Sequence, residues 1–263
     1  MELAVIIAAA GASSRYLAAG GLRDKLDEDL GGRPVLQRTV ELFTKRDEAK
    51  WVIVAGPHDA YDEFIATHGD KLAMLGVRCC KGGKTERHES IRAALALVPA
   101  EATHIAVHDA ARPATPEAVI DRVLTAARSH GAVIPGVDVA DTLKRVGAEP
   151  IASTDADPLD AILGGVGKTN QRARRVEQTV DRKHLVAVQT PQVFRAELLR
   201  RAYAQADLSS TDDASLVERL GEPVVVVEGD PRNMKLTRPA DLSVIRSILG
   251  VRGPAEREVH KRF

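Results

Sequence analysis

Three stretches of this sequence combine small residues with cations in a pattern that suits phosphate binding. The first is AAAGASSRYLAAGGLRDKL, residues 8–26, which leaves an apolar, β-forming run. Ala9, Ala10, Gly11 and Ala12 are small enough for backbone N–H groups to approach an anion, and Arg15 and Lys25 supply opposite charge. It is not the dinucleotide fingerprint, which needs glycine at three set positions, nor a P-loop, since no Gly-Lys-Ser/Thr ends it. The second stretch is VHDAARP, residues 107–113. Asp109 suits a divalent cation or a ribose hydroxyl, Ala110 and Ala111 allow close approach of a ligand, and Arg112 suits a second phosphate. The third, RNMKLTRPADL, residues 232–242, is weaker: it puts Lys235 at the end of an extended run, where a lone lysine is usually solvated.

Two further segments are less specific. GGKTERHES (82–90) puts Ser90 just before a helical pattern, where the local reading is an N-terminal cap. GGVGKT (164–169) imitates a P-loop, but Ile162 stands where the motif needs glycine, and no clear strand precedes it.

The elements that must position these loops alternate along the chain. Apolar runs at 4–8, 51–55, 76–80, 104–109, 132–136 and 224–229 read as strands. Periodic segments at 34–46, 58–68, 90–98, 116–131, 194–206, 211–221 and 238–250 read as helices. Pro34 would take the first position of its helix, and Thr211 or Asp212 would start the sixth. The rhythm predicts a mostly parallel, twisted sheet with helices on both faces and ligands at the carboxyl ends of the strands. The first two stretches would then face one crevice. The rhythm breaks between 137 and 189, where DTLKRV (141–146) and RRVEQTV (174–180) read as paired extended segments. The expected organisation is one domain over 1–250 that includes an arm, 138–185, with an extended loop at 147–175. A charged tail, 251–263, follows. That loop is expected to be mobile and dispensable for most activity.

The bulk numbers fit this picture. The 263 residues are 44% hydrophobic, enough for a sizeable core without disulfides or structural metal. Lys plus Arg equals Asp plus Glu at 37 each, so nothing calls for nucleic acid or an anionic membrane, and any phosphate site must be local. Aromatic residues at 3% argue against base-stacking platforms. Cys79 and Cys80 read as free thiols, one of them buried, which suits a cytoplasmic location. No apolar segment is long enough to span a bilayer.

The order of the pieces then carries a resemblance. AAGxxxR, Lys25, HESIRAAL, VHDAARP, DTLKR, TVDR, TPQVF, TDDAS and NMKLTRPADL follow one another as in the 2-C-methyl-D-erythritol 4-phosphate cytidylyltransferases of the non-mevalonate isoprenoid pathway. The similarity runs from about Ala4 to Leu249. It implies a Rossmann-like nucleotidyltransferase fold with a protruding β-arm, CTP and methylerythritol phosphate as substrates, Mg²⁺ as cofactor, and a homodimer joined through the arm. It implies that Arg15, Lys25 and Lys235 are catalytic, and that Ala9, Ala10, Gly11, Ala12, Gly82, Ser90, Asp109 and Ala110 bind CTP. Arg112, Thr142, Arg182, Thr190, Thr211 and Asp212 would surround the acceptor, with Arg182 serving the neighbouring subunit's site. Asp109 is the candidate metal ligand, the CTP phosphates holding most of the Mg²⁺.

The bottom-up chemistry agrees. A phosphate monoester is already anionic, so attack on the α-phosphate of CTP needs alignment and charge neutralisation rather than a general base. No His–Asp–Ser or Cys–His arrangement is apparent. The chain departs from the family pattern at Ser13, where a second glycine is usual, and at Asp24, where proline commonly precedes the lysine. Asp24 is expected to weaken CTP binding unless it points away or helps to hold Mg²⁺. Two other readings share parts of this pattern: a cytidylyltransferase for another polyol phosphate such as ribitol 5-phosphate, and a non-catalytic nucleotide-binding protein.

Overall fold

The computed structural model of the protein describes residues 1–151 and 173–253. GGVGKT, most of the 147–175 loop expected to be mobile, and nearly all of the tail lie outside the described residues. The chain forms two units, one of residues 1–137 and 188–263, the other of residues 138–187.

The first unit is built on a sheet in which seven strands run in the order β10-β5-β9-β4-β1-β2-β3. They are β1 (Leu3–Ala8), β2 (Ala49–Gly56), β3 (Arg78–Lys81), β4 (His104–Asp109), β5 (Ala132–Asp138), β9 (Gln192–Arg195) and β10 (Val225–Glu228). All pairings on this path are parallel except those of β9, which is antiparallel to both β4 and β5. Alternation along the central strands explains why both faces need cover. Leu3, Val5 and Ile7 of β1 face one cluster with Val52 and Val54 of β2; Ala4 and Ile6 face the other with Ile53 and Ala55. The first face is covered by α2 (Val35–Thr44), α3 (Tyr61–Met74), α5 (Glu117–Ala127) and α8 (Asp241–Leu249). The second is covered by α4 (Arg87–Leu95), α6 (Ala196–Tyr203) and α7 (Ala214–Arg219). A five-residue helix, α1 (Ser14–Ala18), lies in the first loop.

Several boundaries differ from those expected. β9 falls where a motif and a helix start were read: four residues are too few for a periodic signal, and the chain enters α6 directly. α4 begins at Arg87, so Ser90 lies within it, and its cap is a reciprocal box between Glu86 and Glu89. α3 passes through Gly69 and stops before Gly76, whose φ of 73° a side chain would resist. Pro34 precedes α2 as its cap residue rather than occupying its first turn. Both Cys79 and Cys80 are free and half-buried.

In the second unit β6 (Leu143–Pro150) and β7 (Arg174–Val180) form an antiparallel pair, from Leu143 opposite Val180 to Pro150 opposite Arg174. Most of its side chains are exposed. β8 (Val186–Val188) carries the chain from this unit back to the first.

Candidate active site

The chain leaves β1 toward β2 on one side, while β4 pairs on the other, so the sheet order reverses beside β1. Ligands in open α/β sheets bind at such a switch point, outside the strands' carboxyl ends. Here register places Ala8 opposite Asp109, which brings the 9–25 loop and the VHDAARP loop side by side. The Ala110 N–H donates to the Ala8 carbonyl at 3.3 Å and ties the two exits together. A crevice of about 340 Å³ opens there, with Ala9–Ala12, Lys25, Arg87, Ser90, Asp109 and Lys235 in its walls.

Asp109 organises the charge. Its Oδ2 meets Lys235 Nζ at 3.0 Å and Arg112 Nε at 3.1 Å. Burial alone would push this carboxyl up, but Lys235, Arg112 and Arg87 outweigh it and hold it well below the usual carboxylate range. Arg112 Nη1 also donates to the Asn233 carbonyl at 2.6 Å. The Thr190 hydroxyl accepts from the Asp109 N–H at 3.1 Å and lies 3.0 Å from His108 Nδ1. Both residues, expected to touch the acceptor, are turned inward and brace Asp109. His108 is fully buried, and burial pushes its pKa down to about 4.

Lys25 opens a single 3₁₀ turn, Lys25–Asp27, capped by Asp24, whose carboxylate accepts from the Leu26 N–H at 2.8 Å. Burial, with the nearby charge of Lys235, lowers the Lys25 pKa, and Asp24 and Asp109 work against that fall. Asp24 does not confront the crevice as a free acid, because its other oxygen accepts from the Ser13 hydroxyl at 2.9 Å. Arg15 is exposed on α1 and is not among the side chains walling the crevice. At Gly82 any side chain would collide, since a Cβ would stand 2.5 Å from the Gly56 carbonyl and 2.8 Å from Ala10. Ser90 is buried, and its hydroxyl accepts from the Gly83 N–H at 2.9 Å, so it shapes the 82–83 turn from inside α4.

Thr211 is exposed, and Asp212 accepts from the Ser215 N–H at 3.1 Å and from Gln192 Nε2 at 2.7 Å, which binds α7 to β9. Thr142 and Arg182 belong to the second unit. Both are exposed, and the Arg182 guanidinium donates to the Ala140 carbonyl within it.

Two crevice features were missed in the sequence. Arg87, the first residue of α4, adds a cation to the wall, and its Nη2 lies 2.7 Å from Oδ2 of Asp213, a fully buried carboxylate. Asp213 also accepts from the Tyr203 hydroxyl at 2.5 Å. The signal for Arg87 was its place three residues before Ser90, which puts both on one face of a helix that starts early enough. Asn233 is fully buried and holds the segment leading to Lys235. Its amide nitrogen donates to the Thr190 carbonyl at 2.9 Å, and its amide oxygen accepts from the Thr115 hydroxyl at 2.8 Å.

A doubly wound sheet with small-residue loops, two lysines and an arginine converging on a switch-point crevice defines a nucleotidyltransferase-type α/β protein. The chain belongs to the 2-C-methyl-D-erythritol 4-phosphate cytidylyltransferase (IspD) family, whose model matches residues 3–164 and 160–251. It is 38% identical to the 2-C-methyl-D-erythritol 4-phosphate cytidylyltransferase of Frankia casuarinae over 97% of this chain and 84% of that protein. It is also 38% identical to that of Rhodococcus jostii, over 93% of this chain and 95% of that protein. Among solved structures it is similar to the Thermus thermophilus enzyme, with a TM-score of 0.70 and 31% identity, covering 95% of this chain and all (100%) of that one.

Proposed function

We propose that this chain transfers CMP from CTP to 2-C-methyl-D-erythritol 4-phosphate, giving 4-diphosphocytidyl-2-C-methyl-D-erythritol and pyrophosphate in isoprenoid precursor synthesis. The observation that carries the reading is the convergence of Lys25, Lys235 and Arg87 on loop one's backbone amides, in a chain of this family. A phosphate oxygen of the acceptor attacks the α-phosphorus of CTP, the bond to the bridging oxygen breaks, and pyrophosphate leaves with that electron pair. Negative charge grows on the equatorial oxygens as this happens. Fixed cations in the crevice stabilise it, because they need no reorganisation at that moment. Loop one would grip the triphosphate through its amides, Lys25 and Arg15. Lys235, held against Asp109, would sit between nucleotide and acceptor.

Mg²⁺ fits the crevice in one way. Lys235 and Arg112 both meet Oδ2 of Asp109, and among the described residues no group of three His, Cys, Asp or Glu could form an all-protein site. A single carboxylate together with substrate phosphates is a common Mg²⁺ environment, so Asp109 Oδ1 and the CTP phosphates would hold it. When bound, the ion neutralises phosphate charge. Arg112, Thr142, Arg182, Thr190, Thr211 and Asp212 are read as belonging to the acceptor side, Arg112 and Thr190 mainly by bracing Asp109. The protein is read as cytoplasmic and as a homodimer joined through the hairpin; the exposure of Ile151 (51%) and Val176 (54%) supports the dimer contact.

The test is pyrophosphate release from CTP and Mg²⁺ with methylerythritol 4-phosphate or ribitol 5-phosphate as acceptor. Turnover with the first alone is expected. Turnover with the second alone would keep the CTP loop and replace the acceptor, and no release from folded protein with either would end the enzymatic reading.

A further inference from the structure

Loop one contains a side-chain bond that neither its helix nor its strand requires. Ser13 sits at the cap position of α1, where a serine hydroxyl ordinarily accepts from an amide of the first turn. It does not do so here, and the hydroxyl instead donates to Oδ2 of Asp24, eleven residues further on, at 2.9 Å. Ser13 is also in the left-handed region, with φ at 52°, and is buried. A side chain is disfavoured there, so surrounding contacts must over-determine the conformation. Asp24 supplies such a contact, and its Oδ1 accepts from the Leu26 N–H at 2.8 Å. One carboxylate thus joins residue 13 to residue 26 and brackets Lys25. A second bond across the same loop, Tyr16 hydroxyl to Glu28 at 2.9 Å, closes it lower down.

We infer that Ser13 and Asp24 form a clasp that holds the phosphate-binding loop in its ligand-ready shape and positions Lys25 over the crevice. The inference rests on the CTP reading of loop one. Both members are positioning residues: Asp24 has both carboxylate oxygens occupied and acts on the triphosphate through Lys25. Its charge has a second effect. The groups that bear on Lys25 are Lys235, Asp24, Asp109 and Arg15, and of these Asp24 and Asp109 favour the ammonium form. The acid beside the lysine therefore favours its charged form, against burial and Lys235, which lower its pKa.

The clasp is tested with Ser13→Ala, Asp24→Ala, Asp24→Asn and Ser13→Ala/Asp24→Ala in the full chain. The readouts are amide hydrogen exchange of the free protein and the pH dependence of kcat/KM for CTP. Breaking the clasp from either side should speed exchange across residues 15–26 and raise KM for CTP about tenfold, the loss of one hydrogen bond to a charged group. The double variant should be no worse than the worse single one. Asp24→Asn loses the charge and one acceptor: its amide oxygen still accepts from the Leu26 N–H, and its amide N–H donates to the Ser13 oxygen with the hydroxyl turned round, so its exchange should stay near wild type while the alkaline limb of kcat/KM moves to lower pH. Unchanged exchange in Ser13→Ala, or single effects that multiply in the double variant, would overturn the clasp. A wild-type chain that released no pyrophosphate from CTP would remove the reading of the loop and the clasp's role in CTP binding. The exchange data would show separately whether the bond orders the loop.

Discussion

Burial and the charge of Lys235 disfavour the ammonium form of Lys25 in the crevice, and that cost is relieved when a polyanion arrives there. Their effect should therefore be largest where negative charge is largest, in the transition state. Lys25→Ala and Lys235→Ala should each lower kcat by about 10²–10³, the loss seen when one preorganised donor to a developing charge is removed. Arg15→Ala should act mainly on KM for CTP, because Arg15 is exposed and does not wall the crevice. Steady-state kinetics with CTP varied separate the two effects. Burial of Lys25, with the repulsion from Lys235, gives a pH signature. Lys25 binds phosphate as an ammonium and its pKa is lowered, so kcat/KM should begin to fall with rising pH below the ordinary lysine value. Bound CTP favours the charged form, so kcat should hold to higher pH than kcat/KM does. Coincident alkaline limbs would contradict this account.

At the scale of elements, the buried Asn233 joins three of them: the stretch before Lys235, the β4 exit through Thr115, and the entry to β9 through Thr190. Asn233→Ala should cost about 1–3 kcal/mol of stability by leaving buried partners unsatisfied. It should also lower kcat by loosening Lys235. In the double variant Asn233→Ala/Lys235→Ala, kcat should match that of Lys235→Ala alone; a further drop would mean that Asn233 acts elsewhere. This network also shows where the sequence could be read and where it could not. β1, β2 and β4 are buried on both faces, so they appear as continuous apolar runs, and the loops after β1 and β4 could be assigned to one crevice. Strand β9 is four residues long and flows into α6, so no period could reveal it. Arg112 and Thr190 have side chains that suit a ligand, but the turn after β4 folds Arg112 back onto Asp109, and a contact across 81 positions brings Thr190 to the Asp109 N–H. Arg87 was hidden for a related reason: the helix was started at Ser90, and its buried counter-ion Asp213 is 126 positions away, a separation no local pattern can bridge.

Over the whole molecule, β4 lies near the middle of the sheet and places two titrating side chains in succession at the site, His108 and Asp109. Their effects on stability have the same sign. Burial lowers the pKa of His108 to about 4, against about 6.5 for a histidine in the unfolded chain. Between those values the unfolded state binds a proton that the native state refuses, so stability falls as the pH falls. Lys235, Arg112 and Arg87 hold Asp109 below its unfolded value, so its contribution is present above about pH 4 and is lost on further acidification. Acid should therefore weaken the fold in two steps, the first of them beginning at about pH 6.5, above the range of ordinary carboxylates. The histidine step is on the order of 3 kcal/mol, from the fall of its pKa from about 6.5 to about 4. Urea unfolding at pH 7, 5.5 and 4.5 would measure it. His108→Asn should lower stability at pH 7, because the contacts to Thr190 and Phe43 are lost or shortened, while flattening the slope between pH 6.5 and 4. A variant that kept the wild-type slope would place the acid-sensitive group elsewhere and leave His108 as packing alone. The flattened slope would show instead that the strand bearing the charge centre of the crevice is also where the fold first responds to acid.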